Sequence, residues 1–272
     1  MEKLLNKSLF IRIVSAIVFA IVFALAFINK FSFLIVFLFF MLQSLWEFYN
    51  ISDNKKFKPN IIFGLFTAFS IFSSFFAYKA FQINIFLLPI LMIITIFIIS
   101  IFNETNFFES TSNTLLGIIY IALPFSFSNI LVFKNNSFEI INLITILGFI
   151  WIFDVFSYFN GILFGKHKLA KKISPQKTIE GAIGGFLFTI ITSVVFFYIF
   201  KKISLIEYII LASIVSISSL LGDLFESKIK RHFNTKDSGK IMPGHGGLLD
   251  RFDSFLFSII SATIFLKTIN AI

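Results

Sequence analysis

Residues 181–200 read GAIGGFLFTIITSVVFFYIF, twenty positions without a charge. As a helix, about 20 apolar residues rise roughly 30 Å, the thickness of a bilayer's hydrocarbon core. The run lacks the alternation of a half-buried strand, and in lipid only helices or closed barrels satisfy the backbone. Similar runs recur along the chain. They predict helices at 9–28, 31–50, 60–78, 83–102, 112–133, 138–164, 181–200, 204–226 and 249–268. The fold class expected is therefore all-α: a polytopic membrane protein with about nine transmembrane helices. Residues 1–137 read as N-terminal transmembrane helices and 138–272 as a C-terminal catalytic transmembrane region.

Composition agrees. Of 272 residues 57% are hydrophobic and only 14% charged, where a soluble domain carries about 25% charged residues. The 43 Phe fall inside the long apolar runs. The run starting near Leu9 is too long for the apolar core of a signal peptide and reads as a retained first helix. A net charge of +9 would suggest nucleic acid in a soluble protein. Here it fits loops facing anionic headgroups or phosphate-bearing substrates, and no nucleic-acid partner is expected. The absence of cysteine excludes disulfides, thiolate catalysis and Cys-based metal sites, and three His are too few for a multi-His site.

Orientation follows from the cations. With the N-terminus inside, 17 of the 23 Lys and Arg fall on the cytoplasmic side and 6 outside. The inside set includes Arg12, Lys55, Lys56 and the loops 165–180 and 227–248. The expected location is a cytoplasmic membrane, with the site on its cytoplasmic face.

Five acids lie within or at the ends of apolar helices: Asp154, Asp223, Glu226, Asp250 and Asp253. Each costs a few kcal/mol to bury in lipid unless it is paired or binds metal. Asp250 and Asp253, spaced i, i+3, share a helix face. Expected at one membrane level, Asp223, Asp250 and Asp253 are the candidate catalytic acids. Asp223 and Asp250 are the candidate ligands for Mg²⁺, which takes hard carboxylate and phosphate oxygens. The plainer reading pairs each Asp with a cation such as Arg251 or Lys228. Asp154 reads either as the partner of a buried Lys or as a substrate contact.

The loop Pro243-Gly244-His245-Gly246-Gly247 could form a nest of N–H groups for an anion. Lys230, Arg231 and Lys236 precede it and Arg251 follows, a set suited to metal-assisted phosphate chemistry. Positive-inside topology alone would also explain cations there. In the other loop, Thr178 could cap the helix that follows, whereas Lys177 and Glu180 have no such plain explanation.

These residues resemble the signature of the phosphatidate cytidylyltransferase (CDP-diacylglycerol synthase) family. That signature runs S-x-(apolar)-K-R, four residues, K-D-x-G, then P-x-H-G-G-(apolar)-x-D-R-(apolar)-D. Here it is Ser227-Lys228-Ile229-Lys230-Arg231, Lys236-Asp237-Ser238-Gly239 and Pro243-Gly244-His245-Gly246-Gly247-Leu248-Leu249-Asp250-Arg251-Phe252-Asp253. Met242 stands where the family prefers Leu, Ile or Phe. Upstream, Asp154, Tyr158, Gly161 and Phe164-Gly165-Lys166 match a second stretch, with Ser157 in place of Ala and Ile162 in place of Arg. Lys177-Thr178 and Glu180-Gly181 match a third, with Gln176 in place of Lys. The resemblance covers about residues 150–255.

The resemblance implies CTP and phosphatidate as substrates, CDP-diacylglycerol and diphosphate as products, and Mg²⁺ as cofactor. It implies catalytic roles for Asp223, Asp250, Asp253, Lys236 and Arg251. Substrate binding would fall to Lys166, Lys177, Lys230, Arg231, His245, Gly246 and Gly247. A homodimer stays open. An ion- or proton-coupled transporter is the alternative from another class, but it would hold its acids near the midplane. A CDP-alcohol phosphotransferase would need D-x-x-x-D spacing, which Asp250 and Asp253 do not have.

Overall fold

The computed structural model describes residues 2–53, 57–102, 106–134 and 136–272. Lys55 and Lys56 of the orientation count lie outside the described residues. The described chain is mostly helical: α1 Glu2–Leu25, α2 Lys30–Ser52, α3 Ile61–Phe81, α4 Leu87–Ile101, α5 Phe107–Gly117, α6 Leu123–Val132, α7 Ile141–Phe164, α8 Ile179–Phe200, α9 Leu205–His232 and α10 Leu249–Thr268. Among the described residues, six helical segments are long and apolar enough to cross a membrane: 30–52, 61–81, 107–132, 141–164, 179–200 and 205–232. The apolar parts of α1 and α4 are shorter.

Local chemistry explains several boundaries. Asn29 caps α2 in a capping box with Ser32. Thr178 caps α8, its hydroxyl accepting the Gly181 N–H at 3.1 Å, as its position suggested. The segment expected at 112–133 is α5 and α6 joined by a π-helical turn, Ile118–Ala122. Pro124 has no N–H to give the carbonyl four residues back, so the ladder opens there. α9 runs six residues past its expected end, with Lys230, Arg231 and His232 in its last turn, where cations suit the helix dipole.

Two small hairpins modify the all-α expectation. Strands β1 Phe133–Lys134 and β2 Ser137–Phe138 pair antiparallel, as do β3 Lys168–Ala170 and β4 Ser174–Thr178. The sequence places Phe133 and Phe138 at the ends of expected helices and residues 168–178 in a loop, because the strands are very short and β4 contains Pro175, which an edge strand tolerates.

The chain divides into two compact units. The first holds residues 1–129 and 233–251. In it Tyr49, fully buried, donates to the Thr114 carbonyl at 2.7 Å. A Cβ at Gly64 or Gly117 would strike the Tyr49 ring, so helix backbones pass close to that side chain. The second unit holds residues 130–232 and 252–272. Here α8 lies along α7, and Gly181 and Gly185 leave no room for a Cβ against the α7 backbone. Serines line the α9–α10 seam: Ser258 donates to the Val215 carbonyl at 3.3 Å, and Ser218 and Ser261 bond at 2.8 Å. Small hydroxyl residues are the usual glue between helices in lipid.

Candidate functional site

In the second unit three helices bring carboxylates together. Asp154 of α7, Asp223 of α9 and Asp253 of α10 lie within electrostatic reach of one another. Gly222 allows this, since a Cβ there would meet the Asp253 carbonyl oxygen at 2.5 Å. Ser219 Oγ donates to Asp154 Oδ1 at 3.3 Å. Ser227 Oγ donates to Asp223 Oδ1 at 3.3 Å. Asp253 accepts the Ser254 N–H at 2.7 Å.

Lys177, carried by β4, pairs with Asp223. The plain reading of a paired acid therefore holds for Asp223, but with a cation from the hairpin and not with Lys228. Lys230 pairs with buried Glu226 one turn back, so this candidate substrate cation already serves a carboxylate. Arg231 and Lys166 are exposed. Glu180 has a structural duty. It accepts the N–H groups of Lys166 and His167 at 3.1 Å and bonds His167 Nδ1 at 2.6 Å, which clamps the turn after α7.

In the first unit the glycine loop is folded round two carboxylates. Asp250, at the start of α10, accepts the Ser238 N–H at 3.0 Å and the Gly247 N–H at 2.8 Å. Glu47 of α2 accepts the N–H groups of Leu248 and Leu249 at 3.0 and 2.9 Å. Met242 accepts from His245 and Gly246 at 2.9 and 3.2 Å. The expected nest is thus corrected: the N–H groups of residues 245–249 serve acceptors within the chain. Gly246 at φ +91° and Gly244 at φ +78° adopt a backbone that glycine tolerates.

Side chains around the loop are also organised. Arg251 donates to the His245 carbonyl at 2.5 Å. His245 Nδ1 bonds Ser15 Oγ of α1 at 2.8 Å. Partial burial of its ring, then the charges of Arg251 and Arg12, push the His245 pKa below its usual value. Lys236 is exposed.

Sequence reading missed Glu47, Ser15 and Ser238. Glu47 gave a signal, a lone acid inside the apolar run Trp46-Glu47-Phe48-Tyr49. Ser15 and Ser238 gave none, because serine is unremarkable in either setting.

Among the described residues no three His, Cys, Asp or Glu stand at ready metal-holding spacing. Mg²⁺ does not need such a cage, since it keeps several waters and takes one or two carboxylates plus substrate phosphates. Three carboxylates from three helices, opposed chiefly by Lys177 and Lys230, have the hard-oxygen donors and the negative charge that suit it. The donor set fits the ion.

The chain matches the cytidylyltransferase family model over residues 10–269. A protein of Staphylococcus haemolyticus named phosphatidate cytidylyltransferase is 53% identical over 98 residues, 36% of this chain and 38% of that relative. Proteins of the same name from Staphylococcus saprophyticus and Staphylococcus epidermidis are 52% and 50% identical over 98 residues. The matched stretch spans 38% of the length of each of these relatives.

Proposed function

The chain belongs to the cytidylyltransferase family, and from that premise we propose that it is a phosphatidate cytidylyltransferase, joining CTP and phosphatidate to give CDP-diacylglycerol and diphosphate. The observation that carries this reading is the Asp154, Asp223 and Asp253 cluster with Lys177 beside it. The phosphate of phosphatidate is already an anionic nucleophile, so neither a Ser–His pair nor a thiolate is required. Repulsion between two polyanions is the barrier, and it is lowered by fixed charge and by orientation. Bound Mg²⁺ would draw charge from the CTP phosphates as a Lewis acid. Asp223 and Asp250 are the residues proposed to hold it. Lys177, Arg231, Lys236 and Arg251 are the cations proposed to neutralise the remaining phosphate charge. The family match lends no support to the transporter alternative.

We further propose nine spans with the N-terminus inside. The 20 residues of α10 rise about 30 Å, enough for the hydrocarbon core. Of its charges, Asp250 and Arg251 lie in the first turn, Asp253 follows just beyond it, and Lys267 lies in the last turn. The 17-to-6 distribution of Lys and Arg supports the orientation.

Purified full-length protein in detergent tests the reaction. Diphosphate release should require CTP, phosphatidate and Mg²⁺ together and should match lipid product one to one. Release without phosphatidate, or no release with all three, would refute it.

A further inference from the structure

Glu47 is an acid in the C-terminal part of α2, 3% exposed, and takes no part in the phosphate chemistry. Four donors converge on its carboxylate. They are Gln43 Nε2 at 3.3 Å, Ser238 Oγ at 3.0 Å, and the N–H groups of Leu248 and Leu249 at 3.0 and 2.9 Å. A carboxylate has about four acceptor sites, so this one is fully used. The two N–H groups stand at the start of α10, where a helix leaves donors unpaired and favours negative charge.

The loop is built to this carboxylate. A Cβ at Gly239 would lie 2.6 Å from Glu47 Oε1, and a Cβ at Gly247 would collide with Glu47 Oε2 and Ser238 Oγ. Ser238 links the two acids. Its hydroxyl donates to Glu47 and receives the Asp250 N–H at 3.3 Å, while its own N–H donates to the Asp250 carboxylate. Glu47 therefore reaches both ends of the segment 238–250, and through Ser238 it restrains Asp250.

We propose that Glu47 is the positioning residue of the glycine loop, holding Asp250, His245 and Arg251 in the arrangement that meets the nucleotide. Glu47 is itself too buried to touch a substrate. The inference rests on the reading that this loop serves CTP. A carboxylate is required because all four partners are donors. An amide at the same place turns one acceptor into a donor facing a donor.

The test is Glu47→Gln in the full chain in detergent, alone and with Lys240→Cys. Lys240 is exposed and outside the proposed machinery, and the native chain lacks cysteine, so the thiol reports loop order by its labelling rate. Leaving a buried donor unsatisfied predicts an apparent KM for CTP raised about ten-fold or more. The KM for phosphatidate should move less than about two-fold on the same scale. Labelling at position 240 should accelerate. Ser238→Ala should shift both readouts the same way but less, and it decides the matter if Glu47→Gln does not fold. Unchanged labelling and unchanged CTP KM in a folded variant would overturn the proposal while leaving the parent's reaction intact. Faster labelling with the defect confined to phosphatidate would overturn the assignment of the loop to nucleotide. Should the parent lack CTP-dependent activity, labelling alone still decides whether Glu47 orders the loop.

Discussion

Asp250 accepts N–H groups from Ser238 and Gly247, so Asp250→Asn does more than remove a charge. One amide oxygen can still serve one of these donors, and the protein should remain folded. Turnover should fall by about two decades or more, the scale of losing a principal electrostatic element. Near-normal turnover at saturating Mg²⁺ would remove Asp250 from the catalytic set. Gly246→Ala tests the loop differently. Its φ of +91° disfavours a side chain, and a Cβ would meet Asp250 Oδ2 at 2.7 Å. We expect a raised KM for CTP, and silent kinetics would reduce the loop to a connector. His245 adds a pH dependence. The unfolded ring takes a proton near pH 6.5, whereas the folded ring resists it because its pKa is lowered. Loop stability from His245 is therefore intact above that pH and is lost as pH falls toward the lowered value. The ratio of CTP KM between wild type and His245→Gln should change on that acid limb. CTP's own titration cancels in the ratio. A constant ratio would show that His245 is not the titrating group.

At the scale of elements, the apolar runs made the helices legible, because a bilayer-length run admits little else. The ends were less so. Lys228, Lys230 and Arg231 look like loop by charge, yet they continue α9 because cations suit a helix C-terminus. The β3–β4 hairpin was hidden by Pro175 and its lysines, although it is what carries Lys177 to Asp223. Asp223, Asp250 and Asp253 were legible as expensive charges in apolar context. By the same rule Glu47 was available, but it is the lone acid of its helix and three of its four donors arrive about 200 residues later in the chain, as the Leu249 bond with separation 202 shows. No local pattern reports such a contact. Thr178 was readable as a cap, and Thr178→Ala should cost about 1 kcal/mol of stability. Its loss should also loosen Lys177, which immediately precedes it in β4. A measured drop in melting temperature with unchanged kcat/KM would separate the cap from the site.

For the whole molecule, orientation decides whether the proposed site can meet CTP. Ser238 would be a poor probe because it is buried against Glu47, so exposed Lys240 is the better position. Lys240→Cys should resist an impermeant thiol reagent in intact cells and react in inverted vesicles. The reverse pattern would place the loop on the wrong side for a cytosolic nucleotide. The central claim, attack of a lipid phosphate on the α-phosphorus of CTP, is tested most directly by the fate of label. Purified protein with phosphatidate and Mg²⁺ should carry α-labelled phosphate from CTP into the chloroform-soluble product and release γ-labelled phosphate as diphosphate. Transfer of γ label to the lipid, or retention of α label in the aqueous phase, would contradict the account.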